Sequence, residues 1–278
     1  MQRTRAMRQF KGTGNPGAFC FSGTRDMDLL WVTLASGLAG FVDAIVGGGG
    51  LILAPALFAV YPAAPPATLF GTNKGAAVWG TAWATVQYAR RVTMVWTTLA
   101  PAAVAALACS FAGAWLVTQV PATGLRRALP FILLVVLVYT LVRKDLGSQH
   151  RPGDCARCEA LKATLIGAGV GFYDGFFGPG TGSFFVFLFV RVLGYDFLHA
   201  SAAAKLLNTA TNVAALTLFA STGHVWWPVA ATMAVANVIG SLLGARLALR
   251  HGAGFVRYVF IVVVGALIVR TGWDALRL

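Results

Sequence analysis

One ten-residue pattern occurs twice, 131 residues apart, and each copy closes a stretch apolar enough to cross a bilayer. The first copy is Gly40-Phe41-Val42-Asp43-Ala44-Ile45-Val46-Gly47-Gly48-Gly49. The second is Gly171-Phe172-Tyr173-Asp174-Gly175-Phe176-Phe177-Gly178-Pro179-Gly180. The same offset, without a gap, places Lys74 on Lys205, Gly113 on Gly244, Ala114 on Ala245, Leu116 on Leu247 and Arg126 on Arg257. A tandem duplication with one Asp and one Lys per half, set beside glycine breaks, is the sequence mark of many secondary transporters.

Only 11% of the residues are charged, against about 25% in ordinary soluble chains. With 58% hydrophobic residues and a mean hydropathy of +0.72, the charges fall between long apolar runs, as in a polytopic membrane protein. The net charge of +13 sits mostly in short loops and near the N-terminus. That placement follows the positive-inside rule and excludes a nucleic-acid reading. Residues 1–26 carry Arg3, Arg5, Arg8, Lys11 and Arg25 without an apolar core, unlike a signal peptide. They are expected to be a disordered basic tail, unless Met27 is the true start. Cys155 and Cys158 form a Cys-x-x-Cys pair in the central loop, five residues after His150. A redox pair or half a zinc site needs partners that the sequence does not supply, so an incidental pair is expected.

The apolar pattern predicts an all-α membrane protein of two tandem repeats, each of about four spans plus a short helix entered through a glycine break. Repeat 1 covers 27–142, a polar linker 143–160, and repeat 2 161–278. The first repeat places spans near Asp28–Val46, Leu69–Ala89, Val95–Val120 and Leu125–Val142, with a short apolar piece at Leu51–Tyr61. The second places them near Leu161–Phe177, His199–Thr222, Trp226–Leu249 and Phe255–Trp273, with a short piece at Ser183–Leu193. Each short piece covers about half of a ~30 Å core. Eight crossings make the repeats parallel with both termini inside, and this is the preferred expectation; if the short pieces also cross, the repeats are inverted. Small residues every four positions, Ser36, Gly40, Ala44 and Gly167, Gly171, Gly175, with Gly240 and Gly244, are expected to be helix-packing ridges.

Asp43 and Asp174 lie one turn before the breaks, where a buried charge is costly enough to suggest a substrate or proton site. Gly47, Gly48, Gly49 and Gly50, and Gly178, Pro179, Gly180 and Thr181, leave backbone groups without helical partners. The short helix after each break points its positive end back at the break, which suits an anion. Lys74 follows Asn73, and Lys205, Asn208 and Asn212 share a helix face, with Lys74, Ala77 and Thr81 as their counterparts. This is a cation with amide donors for an oxyanion, or an Asp–Lys ion pair within each half that holds the bundle together. The two readings are compatible.

The run Gly-Phe-x-Asp-x-x-x-Gly-Gly-Gly-Gly-Leu with Pro55-Ala56-Leu57 and Thr72-Asn73-Lys74, then Gly-Phe-Tyr-Asp-Gly-Phe-Phe-Gly-Pro and Ala-Lys-Leu-Leu-Asn, resembles the TauE/SafE sulfite exporter family. The resemblance runs from Met27 nearly to the C-terminus and is nearest the family's generic membrane-transporter subgroup. It implies a multi-pass inner-membrane permease that exports a small anion, sulfite or a related sulfur-containing organic anion. Pro179 and Thr181 depart from the glycine-only form of the second break. The implied partners are membrane lipid and the anion, with a coupling proton and a homo-oligomer left open; no nucleic acid, metal, cofactor or catalytic activity is expected. Asp43 and Asp174 would serve coupling or charge balance, and Asn73, Lys74, Lys205, Asn208, Asn212 and the two breaks would bind the anion. Two other classes are an intramembrane aspartic protease and a non-transporting scaffold. Tyr173-Asp174 and Pro55-Ala56-Leu57 echo presenilin-like fragments in the wrong order, and no Gly-x-Gly-Asp is present.

Overall fold

The computed structural model describes residues 25–120 and 155–276. The expected N-terminal tail, the span at Leu125–Val142 and most of the central loop lie outside them. The described residues form eight helices and no strand: α1 (Arg25–Val46), α2 (Gly50–Val60), α3 (Pro66–Ala89), α4 (Trp96–Gln119), α5 (Ala156–Phe176), α6 (Thr181–Leu193), α7 (Phe197–Ser221) and α8 (Trp227–Leu276). Helix starts at 25, 50, 66 and 96 are followed by starts at 156, 181, 197 and 227, a constant step of 131. Local chemistry sets several of these ends. Pro66 opens α3 at a position where no N–H is needed. The Asp196 carboxylate caps α7 by accepting from the N–H of Leu198 and His199 at 2.8 Å. Gly252, at φ 73°, divides α8 into two stretches.

Three stretches are long and apolar enough to cross a membrane by length and composition: Met27–Val46, Trp96–Gln119 and Trp227–Gly252. α3, α5 and α7 are also 24, 21 and 25 residues long. Their hydropathy is lowered by the charged and amide side chains that they carry. The outward faces are apolar, with Trp31, Leu34, Leu38, Trp79, Trp83, Val235, Ile239 and Leu243 all exposed. Such faces suit lipid and not water.

Contacts along the helices fix their directions. Ser36 Oγ donates to Met233 O at 2.8 Å and Ser241 Oγ to Gly40 O at 3.2 Å, so α1 and the first stretch of α8 run together. α3 runs with α8 too, since Gly71, Gly75 and Gly80 lie against His224, Ala230 and Asn237. α4 runs with α5, with Gly167, Gly171 and Gly175 against Ala102, Ala106 and Ser110. α7 follows α4: Leu99 and Ala102 share a core with Ala200 and Ala203, and Ala114 and Val117 share another with Ala215 and Leu218. α3 and α7 oppose each other, because Gly71 meets Phe219, Gly75 meets Leu216 and Thr85 meets Thr209. α1, α3 and α8 therefore point one way, and α4, α5 and α7 the other. Parallel halves would align α1 with α5; the two instead run opposite. The physical reason is the short helix: α1 and α3 share a direction, so α2 and its loop return the chain between them.

The small-residue ridges are helix contacts, as expected. A Cβ on Gly175 would overlap the Ser110 carbonyl, whereas Gly169, on another face of α5, has nothing within 4 Å. Gly175→Ala is expected to cost about 1–3 kcal/mol through overpacking. Gly169→Ala should be neutral or slightly stabilising in the same helix. Thermal unfolding of the two variants in detergent checks this; equal midpoints would contradict the packing. At the far end of α3 the fully buried Tyr88 hydroxyl donates to Ala44 O at 2.9 Å, closing a carbonyl in the last turn of α1. Tyr88→Phe should cost about 1 kcal/mol in the same measurement.

Candidate functional site

Two interrupted helices meet backbone to backbone. Gly47 and Gly180 take φ of +81° and +84°, and Gly178 +87°, conformations that favour glycine. The absence of a side chain lets Gly47 and Gly182 touch; a Cβ on either would overlap the other. The Ser183 N–H donates to Gly47 O at 3.0 Å and its Oγ to Val46 O at 3.2 Å, tying the start of α6 to the end of α1. Tyr173 Oη donates to Pro179 O at 2.7 Å and Thr181 Oγ1 to Gly178 O at 2.7 Å, bracing the second break. Gly50 faces Pro179 and Gly178.

Around this crossing is a cleft of about 410 Å³, counting solvent at its mouth. Most of that space is open mouth or crevice too narrow for a water, and what remains is on the scale of one small ion or a few waters. Its wall includes Asp43, Asn73, Lys74, Thr81, Asp174, Asn208, Asn212 and Asn237, with Gly47, Gly49, Gly50, Gly178, Gly180, Thr181 and Gly182. The N–H groups of Gly50, Gly180 and Gly182 have no hydrogen-bond partner among the described residues. These are free donors at the starts of α2 and α6.

The lysines pair across the two halves. Lys74 Nζ donates to Asp174 Oδ2 at 2.6 Å and to Asn212 Oδ1 at 2.9 Å. Lys205 Nζ donates to Asp43 Oδ2 at 2.9 Å. An ion pair within each half was the sequence expectation; the structure exchanges the partners. The reason is the crossing itself, which brings the end of α1 onto α6 and α7, and the end of α5 onto α3. Lys74 is 4% exposed and borders the cleft, whereas Lys205 is 0% exposed and lies behind it. Gly48 and Pro179 are not on the wall either. The other predicted residues are brought together there.

Each carboxylate has one oxygen committed to a lysine, so the pair does not form a proton-sharing protease dyad. The two lysines and two aspartates sum to zero charge, and the free groups of the wall are dipoles. Two acceptor atoms are buried with no partner: Asp174 Oδ1 and Asn73 Oδ1. Asn237 on α8 was missed in the sequence; its Nδ2 donates to Ser36 O at 2.9 Å, and it borders the cleft. Its counterpart at the 131-residue offset is Ala106, so that offset gave no hint. A lone amide in an apolar helix was the available signal. Thr81 was noted only as a counterpart, yet it accepts from Asn212 Nδ2 at 3.3 Å.

Cys155 and Cys158 are paired across the first turn of α5. No group of three or more His, Cys, Asp or Glu residues that could hold a metal occurs among the described residues; His150 lies outside them.

Broken helices meeting at a polar, charge-balanced cleft inside an apolar exterior are the plan of a transporter in a membrane. The chain belongs to the family described as Sulfite exporter TauE/SafE, whose model matches residues 32–271. It is similar to "Probable membrane transporter protein ORF9" of Sinorhizobium sp, 37% identical over 245 residues, covering 87% of this chain and 91% of that one. It is also similar to "Probable membrane transporter protein YfcA" of Escherichia coli K12, 37% identical over 239 residues, covering 86% and 87%. A Haemophilus influenzae "Probable membrane transporter protein" is 32% identical over 247 residues, covering 85% and 92%. No solved structure matches the chain.

Proposed function

We propose that the protein is a multi-pass permease of the inner membrane that exports a small anion, sulfite or a related sulfur-containing organic anion. The observation that carries this reading is the cleft at the helix crossing, where free N–H groups of Gly50, Gly180 and Gly182 flank a lysine already neutralised by Asp174. Helix N-termini attract anions without adding a net charge that would hold them too tightly to release. Asn208 and Asn212 add side-chain amides, and Asn73 a third. In this reading the halves are inverted copies of one unit. Their opposed directions support it, together with the constant step between helix starts. Rocking of one unit against the other would expose the cleft alternately to each side.

Asp43 and Asp174 balance the lysines. Asp174→Asn is then expected to change anion affinity while leaving any pH dependence of flux unaltered. Loss of proton coupling in that variant would assign Asp174 the coupling role instead. The function itself is tested by purified protein in proteoliposomes loaded with a panel of small anions. Efflux of sulfite or an organosulfonate above that of chloride is the expected outcome. A panel with no protein-dependent flux would overturn the reading.

A further inference from the structure

The cleft offers two kinds of polar group at once. The N–H groups of Gly50, Gly180 and Gly182 are donors without acceptors. Asp174 Oδ1 and Asn73 Oδ1 are acceptors without donors, on side chains that are 1% and 5% exposed. A simple oxyanion can answer only the first set. Brought against the acceptors, its oxygens would meet a carboxylate oxygen and an amide oxygen, and each contact would be repulsive. Leaving a buried acceptor unpaired carries the full desolvation penalty of that group, larger still for a charged one. The other carboxylate oxygen is fixed by Lys74 at 2.6 Å, so Asp174 cannot give up that bond to turn both oxygens away.

We infer that the transported anion carries a hydrogen-bond donor of its own, an O–H or N–H, which docks on Asp174 Oδ1 and Asn73 Oδ1 while its oxyanion head faces the free backbone N–H groups. This rests on the anion-permease reading and narrows it. The favoured ligands are protonated monoanions of small oxyacids, and sulfonates or carboxylates bearing a hydroxyl or amine. Fully deprotonated or fully alkylated oxyanions are disfavoured. The arrangement is a selectivity device: it discriminates by an absent donor and not by size, and such discrimination is stronger than that available from one methylene in an apolar pocket.

Two sulfonates of equal charge and nearly equal shape test this, 2-hydroxyethanesulfonate and propane-1-sulfonate, in which O–H replaces CH3. Each is used as a competitor of radiolabelled sulfite efflux from proteoliposomes at one pH, so no titration of the protein intervenes. The hydroxylated compound is expected to compete at a concentration at least tenfold lower. Asn73→Leu, which keeps the bulk and removes the acceptor, should narrow that ratio towards one. Equal competition in the wild type overturns the inference and leaves the permease reading standing. So does sodium-dependent flux with equal competition, which would assign the two oxygens to a cation. Sulfite efflux absent under all conditions removes both. The wild-type ratio decides the matter even if the variant does not fold.

Discussion

Lys205→Met is expected to destabilise the folded protein by about 3–5 kcal/mol, because it leaves the Asp43 carboxylate buried without its partner. Asp43 is 8% exposed, its Oδ2 is held by Lys205 at 2.9 Å, and its Oδ1 receives only a long 3.4 Å contact from the Gly49 N–H. Asp43→Asn in the same chain should recover most of the loss, since an amide is far cheaper to bury than an unpaired charge. Asp174→Asn should not recover it and should add damage, because that carboxylate belongs to Lys74. Four melting curves in detergent separate the cases. Rescue by Asp174→Asn would show that the pairs lie within the halves, as the sequence alone suggested.

Gly47→Ala is expected to cost more than a residue of its size normally would. Its φ of +81° costs about 1–3 kcal/mol for a side chain. The new Cβ also overlaps the Gly182 backbone, adding a further ~1–3 kcal/mol. Gly223→Ala separates the two effects. It has a φ of +75° in the turn after α7, with nothing within 4 Å. The difference between the two losses measures how tightly the broken helices press together. Similar losses would mean that the crossing is slack.

Much of this fold could be read in the sequence because the signals are local. Proline and glycine mark α2 and α6 within a residue or two of where they fall, and four-residue spacing picks out the packing faces of α1 and α5. The charged residues at the breaks stand out because such groups are costly in an apolar run. What could not be read is which helices adjoin. Periodicity reports one helix at a time, so the pairing of Lys74 with Asp174 and of Lys205 with Asp43 needed the crossing to be seen. The sequence also treats Lys74 and Lys205 as equals. Asn212 against Thr81, a difference between corresponding positions, gives Lys74 a second hydrogen-bond partner beside the cleft, while Lys205 is sealed behind it. Helix direction was hidden for a similar reason, since a short apolar helix is compatible with dipping into the bilayer or with carrying the chain back.

In the proposed function anions pass through the cleft bordered by Lys74 and not beside the pair at Lys205. Radiolabelled sulfite efflux from proteoliposomes, measured for the wild type and two charge-neutral double variants of equal yield and melting temperature, tests it most directly. Lys205→Met with Asp43→Asn should keep a substantial part of the flux, because Lys205 lies behind the cleft and an amide at position 43 keeps the shape of the wall there. Lys74→Met with Asp174→Asn should lose at least tenfold, because the groups that shape and polarise the cleft are gone. Wild-type efflux in the Lys74 double variant would contradict the account.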